Sequence, residues 1–156
     1  MPAPTHVTVS PRSFACDLAT ICAPTLAGLK PASLFRYQPA PGQNGTAMAA
    51  AWHTLLAPRG VTVRVLKACP VTGAVLVYVY RPAQVAAILQ RSNVQEFLQS
   101  EGYTPGNAEF MLEQLSQRLC CEEDFPHEIG VFLGYPLAVF LLRKIARGVG
   151  DAAPYK

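Results

Sequence analysis

The segment AVLVYVYR, residues 74–81, constrains the fold more than any other stretch, because an extended strand of this composition is apolar on both faces. Such strands lie in the middle of a sheet rather than at its edge. The turn-forming stretch CPVTG precedes it, and before that turn three valines alternate with polar residues, as in a half-buried strand. We therefore predict an antiparallel hairpin that pairs residues 61–67 with residues 74–80, and residues 33–37 are a candidate third strand.

Helical patterns dominate the rest of the chain. After Pro82 the apolar residues recur at helical spacing, with a capping-box pair at Ser92 and Gln95 and a glycine stop at Gly102. Two further helices are predicted upstream of the hairpin, the first of them starting at Ser10. A few strands followed by a run of helices is typical of the α+β class. We predict an α+β fold with a small antiparallel sheet and helices packed mainly on one face.

Length and composition indicate one globular domain spanning residues 1–156, with flexible ends at residues 1–10 and 148–156. Apolar residues make up 51% of the chain and charged residues only 15%, so a sizeable core can form. The net charge is +3, and the lysines and arginines are scattered singly. Nucleic-acid binders usually cluster their cations on one face, so this composition argues against a nucleic-acid partner.

The sequence shows no sign of export or membrane insertion. The N-terminus lacks the basic start and apolar core of a signal peptide. The longest apolar stretch, residues 131–142, is about half as long as a membrane span. The cysteines are odd in number and include no CxxC pair; they are Cys16, Cys22, Cys69, Cys120 and Cys121. These features predict a cytoplasmic protein with reduced thiols, no membrane association and no structural zinc site.

The stretch FPHEIGVFLGYP, residues 125–136, places His127 and Glu128 in an otherwise apolar run. Pro126 suits the first turn of a helix and Gly134 its C-terminal turn, which predicts a helical corner. The helix dipole keeps a histidine in the first turn neutral, so that it is available as a base or a metal ligand. Alternatively, both polar side chains only bond to the free backbone amides at the helix start.

Cys22, in the stretch CAPTLAGLKP, is the second candidate. It is predicted at the C-terminal end of its helix, where the dipole raises the pKa of a thiol. A thiolate there needs help from Lys30, Arg81 or a histidine that the fold brings near. A buried structural cysteine is the alternative.

Tyr78 and Tyr80 share one face near the end of the central strand, where α+β sheets often border pockets. With Arg81 they are candidates to line a small-molecule site. Cys69 precedes Pro70, a dipeptide that also occurs in haem-responsive proteins. The dinucleotide-binding, P-loop, zincin and α/β-hydrolase motifs are all absent, which argues against those four mechanisms.

Three stretches resemble an uncharacterised bacterial family, a domain-of-unknown-function family frequent in anaerobic, gut-dwelling Firmicutes. They are CAPTLAGLKPASLF at 22–35, LVYVYRP at 76–82 and FPHEIGVFLGYPL at 125–137. The family has no established activity, so the resemblance implies a cytosolic bacterial protein and a set of motif positions. Those positions are Cys22, Pro24, Lys30, Tyr80, Arg81, His127, Glu128 and Tyr135.

The chain departs from the family pattern in two places. Members often have a histidine before the motif cysteine, where this chain has Ile21. After Leu137, members continue through an acidic, glycine-containing helix into an aromatic segment, whereas this chain reads AVFLLRKIARGVGDAAPYK. A site that needs the missing segment would be absent here or completed by oligomerisation.

Three functions are consistent with these features. The leading prediction is a thiol-dependent enzyme or redox protein that uses Cys22, with His127 as its base and Glu128 beside it. The second is a protein that binds haem, a metal or a small ligand through His127, Cys69 or the tyrosines. The third is a non-catalytic interaction module. The ligand-binding candidates are Lys30, Tyr78, Tyr80, Arg81 and Tyr135.

The last apolar segment predicts self-association. Residues 136–146 have a helical pattern whose apolar face is broader than a normal stripe. Little of the chain remains to cover this face. We therefore expect a homo-oligomer, most simply a two-fold dimer, that buries Phe140 and its neighbours.

Overall fold

The computed structural model describes residues 13–119 and 125–138, and in this part of the chain it confirms the α+β class. Three strands form one sheet: β1 (Ala32–Tyr37), β2 (Thr62–Ala68) and β3 (Val75–Tyr80). The α-helices of the described residues are α1 (Phe14–Ile21), α2 (Ala23–Leu26), α3 (Gly45–Leu56), α4 (Pro82–Leu89), α5 (Ser92–Ser100), α6 (Ala108–Arg118) and α7 (Ile129–Phe132).

The sheet has the order β1–β3–β2, and both pairs of neighbours are antiparallel. The predicted hairpin is confirmed as β2 paired with β3, with Val63 opposite Val79. The candidate strand at residues 33–37 is β1, which pairs with β3 so that Tyr37 lies opposite Val75. β3 is therefore the central strand, as its apolar sequence predicts.

All six residues of β3 are buried, and they contribute to two separate cores. Its three valines pack with α1 and α3 on one face, which we call the valine-face core. Leu76, Tyr78 and Tyr80 pack with α4, α5, α6 and α7 on the other face, the tyrosine-face core. The expectation that helices pack mainly on one face is corrected accordingly, because a strand that is apolar on both sides needs cover on both sides.

A β-bulge in β2 interrupts the alternation that its sequence suggests. Val65 pairs with Val77 and Lys67 pairs with Leu76, so Leu66 between them has no partner on β3 and packs in the tyrosine-face core. The Ser116 hydroxyl of α6 donates to the Leu66 carbonyl, and the Lys67 ammonium donates to the Ser116 carbonyl at 3.3 Å. These bonds anchor α6 to the edge of the sheet.

Several predictions concern residues outside the described ranges. The predicted flexible ends, 1–10 and 148–156, lie there, as do residues 139–146 of the self-association segment. Within the described ranges, Cys16 and Cys22 are free thiols. No helix in those ranges is long and apolar enough to cross a membrane.

Candidate functional site

The end of α5 forms the first part of the site. Glu101 follows the helix, and Gly102 then takes a left-handed φ of +100°, which confirms the predicted glycine stop. The turn lets the Tyr103 amide donate back to the Leu98 carbonyl at 2.9 Å. A Cβ at residue 102 would lie 2.7 Å from Nη2 of Arg118. The glycine therefore also makes room for that side chain.

The FPHEIGVFLGYP stretch forms the second part. Its helix, α7, is four residues long, and His127 and Glu128 lie in the turn before it. The helix starts later than the sequence predicts, because i→i+3 hydrogen bonds of the tighter kind close this turn. Gly134, with a φ of +92°, ends the helix as predicted.

Glu101, His127 and Glu128 form one cluster. Nε2 of His127 lies 3.2 Å from Oε1 of Glu101, and Nδ1 of His127 lies 4.0 Å from Oε1 of Glu128. One donor atom from each residue lies within 4.8 Å of the other two. The Glu128 side chain is 3% exposed and the His127 side chain 34%. The cluster therefore opens to solvent through the imidazole.

Two further side chains hold Glu128 in place. The Tyr103 hydroxyl donates to Oε2 of Glu128 at 3.1 Å, and Nη1 of Arg118 donates to the same oxygen at 3.4 Å. The Arg118 guanidinium also lies 4.2 Å from the centre of the Tyr103 ring. Burial and the Glu128 carboxylate raise the pKa of Tyr103 well above its ordinary value, so its phenol stays protonated and remains a donor.

The contacts of Glu128 give its two carboxylate oxygens different roles. The tyrosine and arginine contacts converge on Oε2 of Glu128, whereas Oε1 faces the imidazole. Phe97 packs edge-on against the His127 ring, with the ring centroids 6.3 Å apart, and thereby restrains the plane of the imidazole. The imidazole lies between the two carboxylates and can share a proton with either of them, and all three groups are ligand types that hold divalent cations.

Cys22 lies away from this cluster. It follows the last residue of α1 and is fully buried in the valine-face core, whereas Phe97 and Tyr103 belong to the tyrosine-face core. Burial raises the pKa of the Cys22 thiol to about 12, against a smaller lowering effect of its hydrogen bond with Ser33. The structure therefore does not bring Cys22 and His127 together, and the thiol is protonated at neutral pH.

Arg81 binds the end of α2. Its Nε donates to the Thr25 carbonyl at 2.9 Å, and its Nη2 donates to the Leu26 carbonyl at 2.8 Å. Its backbone amide donates to the Pro31 carbonyl, also at 2.9 Å. The last carbonyls of a helix have no partner within the helix, so Arg81 stabilises this end of α2 and joins the LVYVYRP stretch to the CAPTLAGLKP stretch.

Lys30 and Tyr135 are brought together at the surface. The Lys30 ammonium lies 5.3 Å from the centre of the exposed Tyr135 ring. Beside them, Gly134 packs so closely on Pro31 that a Cβ at residue 134 would lie 2.3 Å from the proline Cγ. The FPHEIGVFLGYP stretch therefore docks on the CAPTLAGLKP stretch.

Tyr78 and Tyr80 lie in the tyrosine-face core. Both are buried, with ring centroids 4.7 Å apart, and burial raises the pKa of both phenols. The Tyr78 hydroxyl donates to the Phe132 carbonyl at 2.5 Å. Tyr78 thereby joins the sheet to α7.

Glu101, Tyr103 and Arg118 complete the cluster, and the sequence does not predict their role. Each is an ordinary residue at or just beyond the end of a helix, and only tertiary packing brings it to His127 and Glu128. The glycine stop that separates Glu101 from Tyr103 is the one local signal, since it allows a close approach of another side chain.

Comparison with known proteins gives one match. No curated protein and no solved structure matches the chain. Residues 18–139 match the model of a family described as "Protein of unknown function (DUF3793)", which confirms the resemblance to an uncharacterised family. The match covers most of the 156 residues. The chain therefore belongs to the DUF3793 family of proteins of unknown function.

Proposed function

We propose that this protein binds a divalent transition-metal ion through Glu101, His127 and Glu128. The observation that carries the proposal is the convergence of one imidazole and two carboxylates, with donor atoms within 4.8 Å of one another. The ligands come from two separate parts of the chain, the end of α5 and the turn before α7. Among the functions considered from sequence, this one corresponds to metal binding through His127.

The donor set favours a particular class of metal. Imidazole nitrogen combined with carboxylate oxygen suits Zn²⁺, Fe²⁺ and Co²⁺ better than Cu⁺, which prefers sulfur ligands, or Ca²⁺, which prefers oxygen ligands alone. Metal–ligand bonds of about 2.1 Å place tetrahedral ligands about 3.4 Å apart. The 3.2 Å between Nε2 of His127 and Oε1 of Glu101 already matches that spacing. A metal ion bound at Nε2 would require the Glu128 carboxylate, whose Oε1 lies 4.0 Å from Nδ1, to move to the Nε2 side of the ring.

The charges of the cluster support a cation. Glu101 and Glu128 contribute two negative charges, and Arg118 contributes one positive charge beside them. The Glu128 carboxylate is largely shielded from water, and a divalent ion beside it would compensate its charge. Tyr103 and Arg118 orient Glu128 as outer-shell partners orient metal ligands.

The alternatives have less support. The thiol-dependent mechanism needs a thiolate within reach of a base, and Cys22 is a buried, neutral thiol in the opposite core from the partners of His127. Haem needs an apolar slot for its porphyrin beside the axial ligand, whereas the side chains beside the His127 ring include the carboxylates of Glu101 and Glu128. A non-catalytic interaction module is the interpretation that remains if metal binding fails.

The test is a calorimetric titration of untagged, chelator-treated protein with Zn²⁺. Wild type should bind one ion per chain, and His127→Gln and Glu101→Gln should each weaken the affinity at least about tenfold. Glu96→Gln removes an exposed carboxylate of the same helix α5 and should bind like wild type. Binding by His127→Gln that is as tight as that of wild type, or no saturable binding by wild type, would refute the proposal.

A further inference from the structure

A groove lies between the start of α5 and the segment that follows α7. It encloses about 320 Å³, which is at the lower end of the size range of small-ligand sites. Its lining comes from Ile88 of α4, the start of α5, Val131 of α7 and residues 134–138. We call it the α5 groove. None of the three proposed metal ligands lines it, so its function is independent of the proposed metal site.

Backbone hydrogen bonds hold both sides of the α5 groove in place. The Arg91 amide donates to the Ile88 carbonyl at 3.2 Å, and the Gln95 amide donates to the Arg91 carbonyl at 2.9 Å. After α7, the Tyr135 amide donates to the Gly130 carbonyl, also at 2.9 Å. The groove is therefore largely formed before a ligand arrives, which lowers the entropic cost of binding.

Apolar side chains dominate the lining, and one lining side chain carries a charge. Ile88, Val94, Val131 and Leu137 supply apolar surface, whereas Arg91 is the single charged residue among the described residues that line the groove. No carboxylate of the described ranges pairs with its guanidinium. An apolar surface beside one unpaired cation suits a ligand with an apolar body and one negative charge.

The position of Arg91 is unfavourable for a cation. An exposed arginine is ordinary in itself, but Arg91 is the N-cap of α5, and its side chain makes no capping hydrogen bond. A positive charge at this end of a helix is also repelled by the helix dipole. Its backbone, with φ −78° excluded by its own φ of −64° and ψ of 137°, is plain extended chain, so backbone strain does not explain the residue. An uncompensated departure from local preference is expected at a functional position.

A second cation lies close to the groove. Tyr135 is part of the lining, and the Lys30 ammonium lies 5.3 Å from the centre of its ring. Lys30 and Arg91 together make the potential at the groove positive, which favours an anion over a neutral molecule or a cation. Among anions, a carboxylate matches a guanidinium best in geometry, because two parallel N–H···O bonds join them.

From these observations we infer that the α5 groove binds a small apolar monocarboxylate, such as a short-chain fatty acid, with its carboxylate at Arg91 and its hydrocarbon chain against Ile88, Val94 and Val131. A neutral molecule of the same shape would leave Arg91 without a counter-charge. A small anion without a hydrocarbon chain would leave the apolar lining in contact with water. The groove therefore selects for a ligand that has both parts.

The experiment measures binding of acetate, butyrate and hexanoate to the full chain by NMR chemical-shift titration, with hexanamide as the neutral analogue. Hexanoate should bind saturably, and affinity should rise about threefold for each CH₂ added along the series. Hexanamide should bind at least about tenfold more weakly than hexanoate. Arg91→Gln should weaken hexanoate by a similar factor, whereas Arg59→Gln, at an exposed arginine outside the groove, should not.

Each other outcome overturns the inference. No saturable binding of hexanoate at about 10 mM, or equal binding of hexanoate and hexanamide, would exclude a carboxylate site. Equal affinity for acetate and hexanoate would exclude the apolar part of the site, and unchanged binding of hexanoate by Arg91→Gln would exclude Arg91. Because Arg91 is exposed, this variant should keep the circular dichroism spectrum of wild type. Its Zn²⁺ affinity should also be unchanged, which separates this test from that of the metal site.

Discussion

Replacing Gly134 by alanine tests how the FPHEIGVFLGYP stretch docks on the CAPTLAGLKP stretch. At the observed φ of +92°, an L-residue is strained by about 1–2 kcal/mol. The new Cβ would also lie 2.3 Å from Cγ and 2.7 Å from Cδ of Pro31, and a proline ring cannot swing aside. Overpacking of this kind costs about 1–3 kcal/mol. We therefore expect Gly134→Ala to lower the free energy of unfolding by about 2–5 kcal/mol.

Gly42→Ala is the matched control. Gly42 has a φ of +86°, and a Cβ there would meet nothing within 4 Å, so only the backbone strain applies. The assay is urea unfolding followed by the fluorescence of Trp52, the one tryptophan of the chain. The difference in unfolding free energy between the two variants isolates the Pro31 contact. Equal destabilisation of the two variants would refute the docking of the two stretches.

Cys22 and Tyr78 provide tests of the two cores. The pKa of the Cys22 thiol rises from 9.0 to about 12 on folding, which means that the folded state favours the neutral thiol. The contribution of this group to the free energy of unfolding is therefore fully present below pH 9 and is lost as the pH rises towards 12. Between these two pH values the group should lower the free energy of unfolding, measured with urea, by about 1.4 kcal/mol per pH unit. The Cys22→Ala variant should lack this part of the pH dependence. At pH 8, iodoacetamide should modify the exposed Cys16 and leave Cys22 unmodified until the chain unfolds, as mass spectrometry of peptides would detect. Tyr78→Phe removes the donor to the Phe132 carbonyl and should cost about 1–2 kcal/mol, whereas Tyr135→Phe, at an exposed ring, should change stability by less than about 0.5 kcal/mol.

The hairpin and the fold class are predictable because their signals are local. The apolar run of β3 and the turn before it specify a central strand and its partner without knowledge of the rest of the chain. The same run also implies cover on both faces, which the prediction of helices mainly on one face overlooked. No local sequence pattern predicts the bulge at Leu66. The Leu66 carbonyl accepts a hydrogen bond from Ser116 of α6, a contact that depends on the tertiary structure.

The candidate site is predictable only in part. His127 and Glu128 stand out in the sequence because a charged pair in an apolar run is unusual. Glu101, Tyr103 and Arg118 do not stand out, because their role depends on how the ends of α5 and α6 pack against the turn before α7. Their contribution is therefore a property of the tertiary structure.

The same limit applies to Cys22 and Arg81. Both lie in stretches on which the resemblance to the family rests, and their residue types suggest chemistry. The fold buries Cys22 in the valine-face core and directs Arg81 at the backbone carbonyls of α2. The type of a residue in the sequence does not by itself distinguish a structural role from a chemical one.

The visible absorption spectrum of the protein titrated with Co²⁺ tests whether Glu101, His127 and Glu128 bind a metal ion, because the d–d bands of this ion report its ligands and geometry. We predict that wild type develops bands that saturate at one ion per chain, and that Zn²⁺ displaces them. His127→Gln should lose these bands, and Glu96→Gln should keep them. A spectrum indistinguishable from that of free aqueous Co²⁺ in wild type, or unchanged bands in His127→Gln, would contradict a metal site at Glu101, His127 and Glu128.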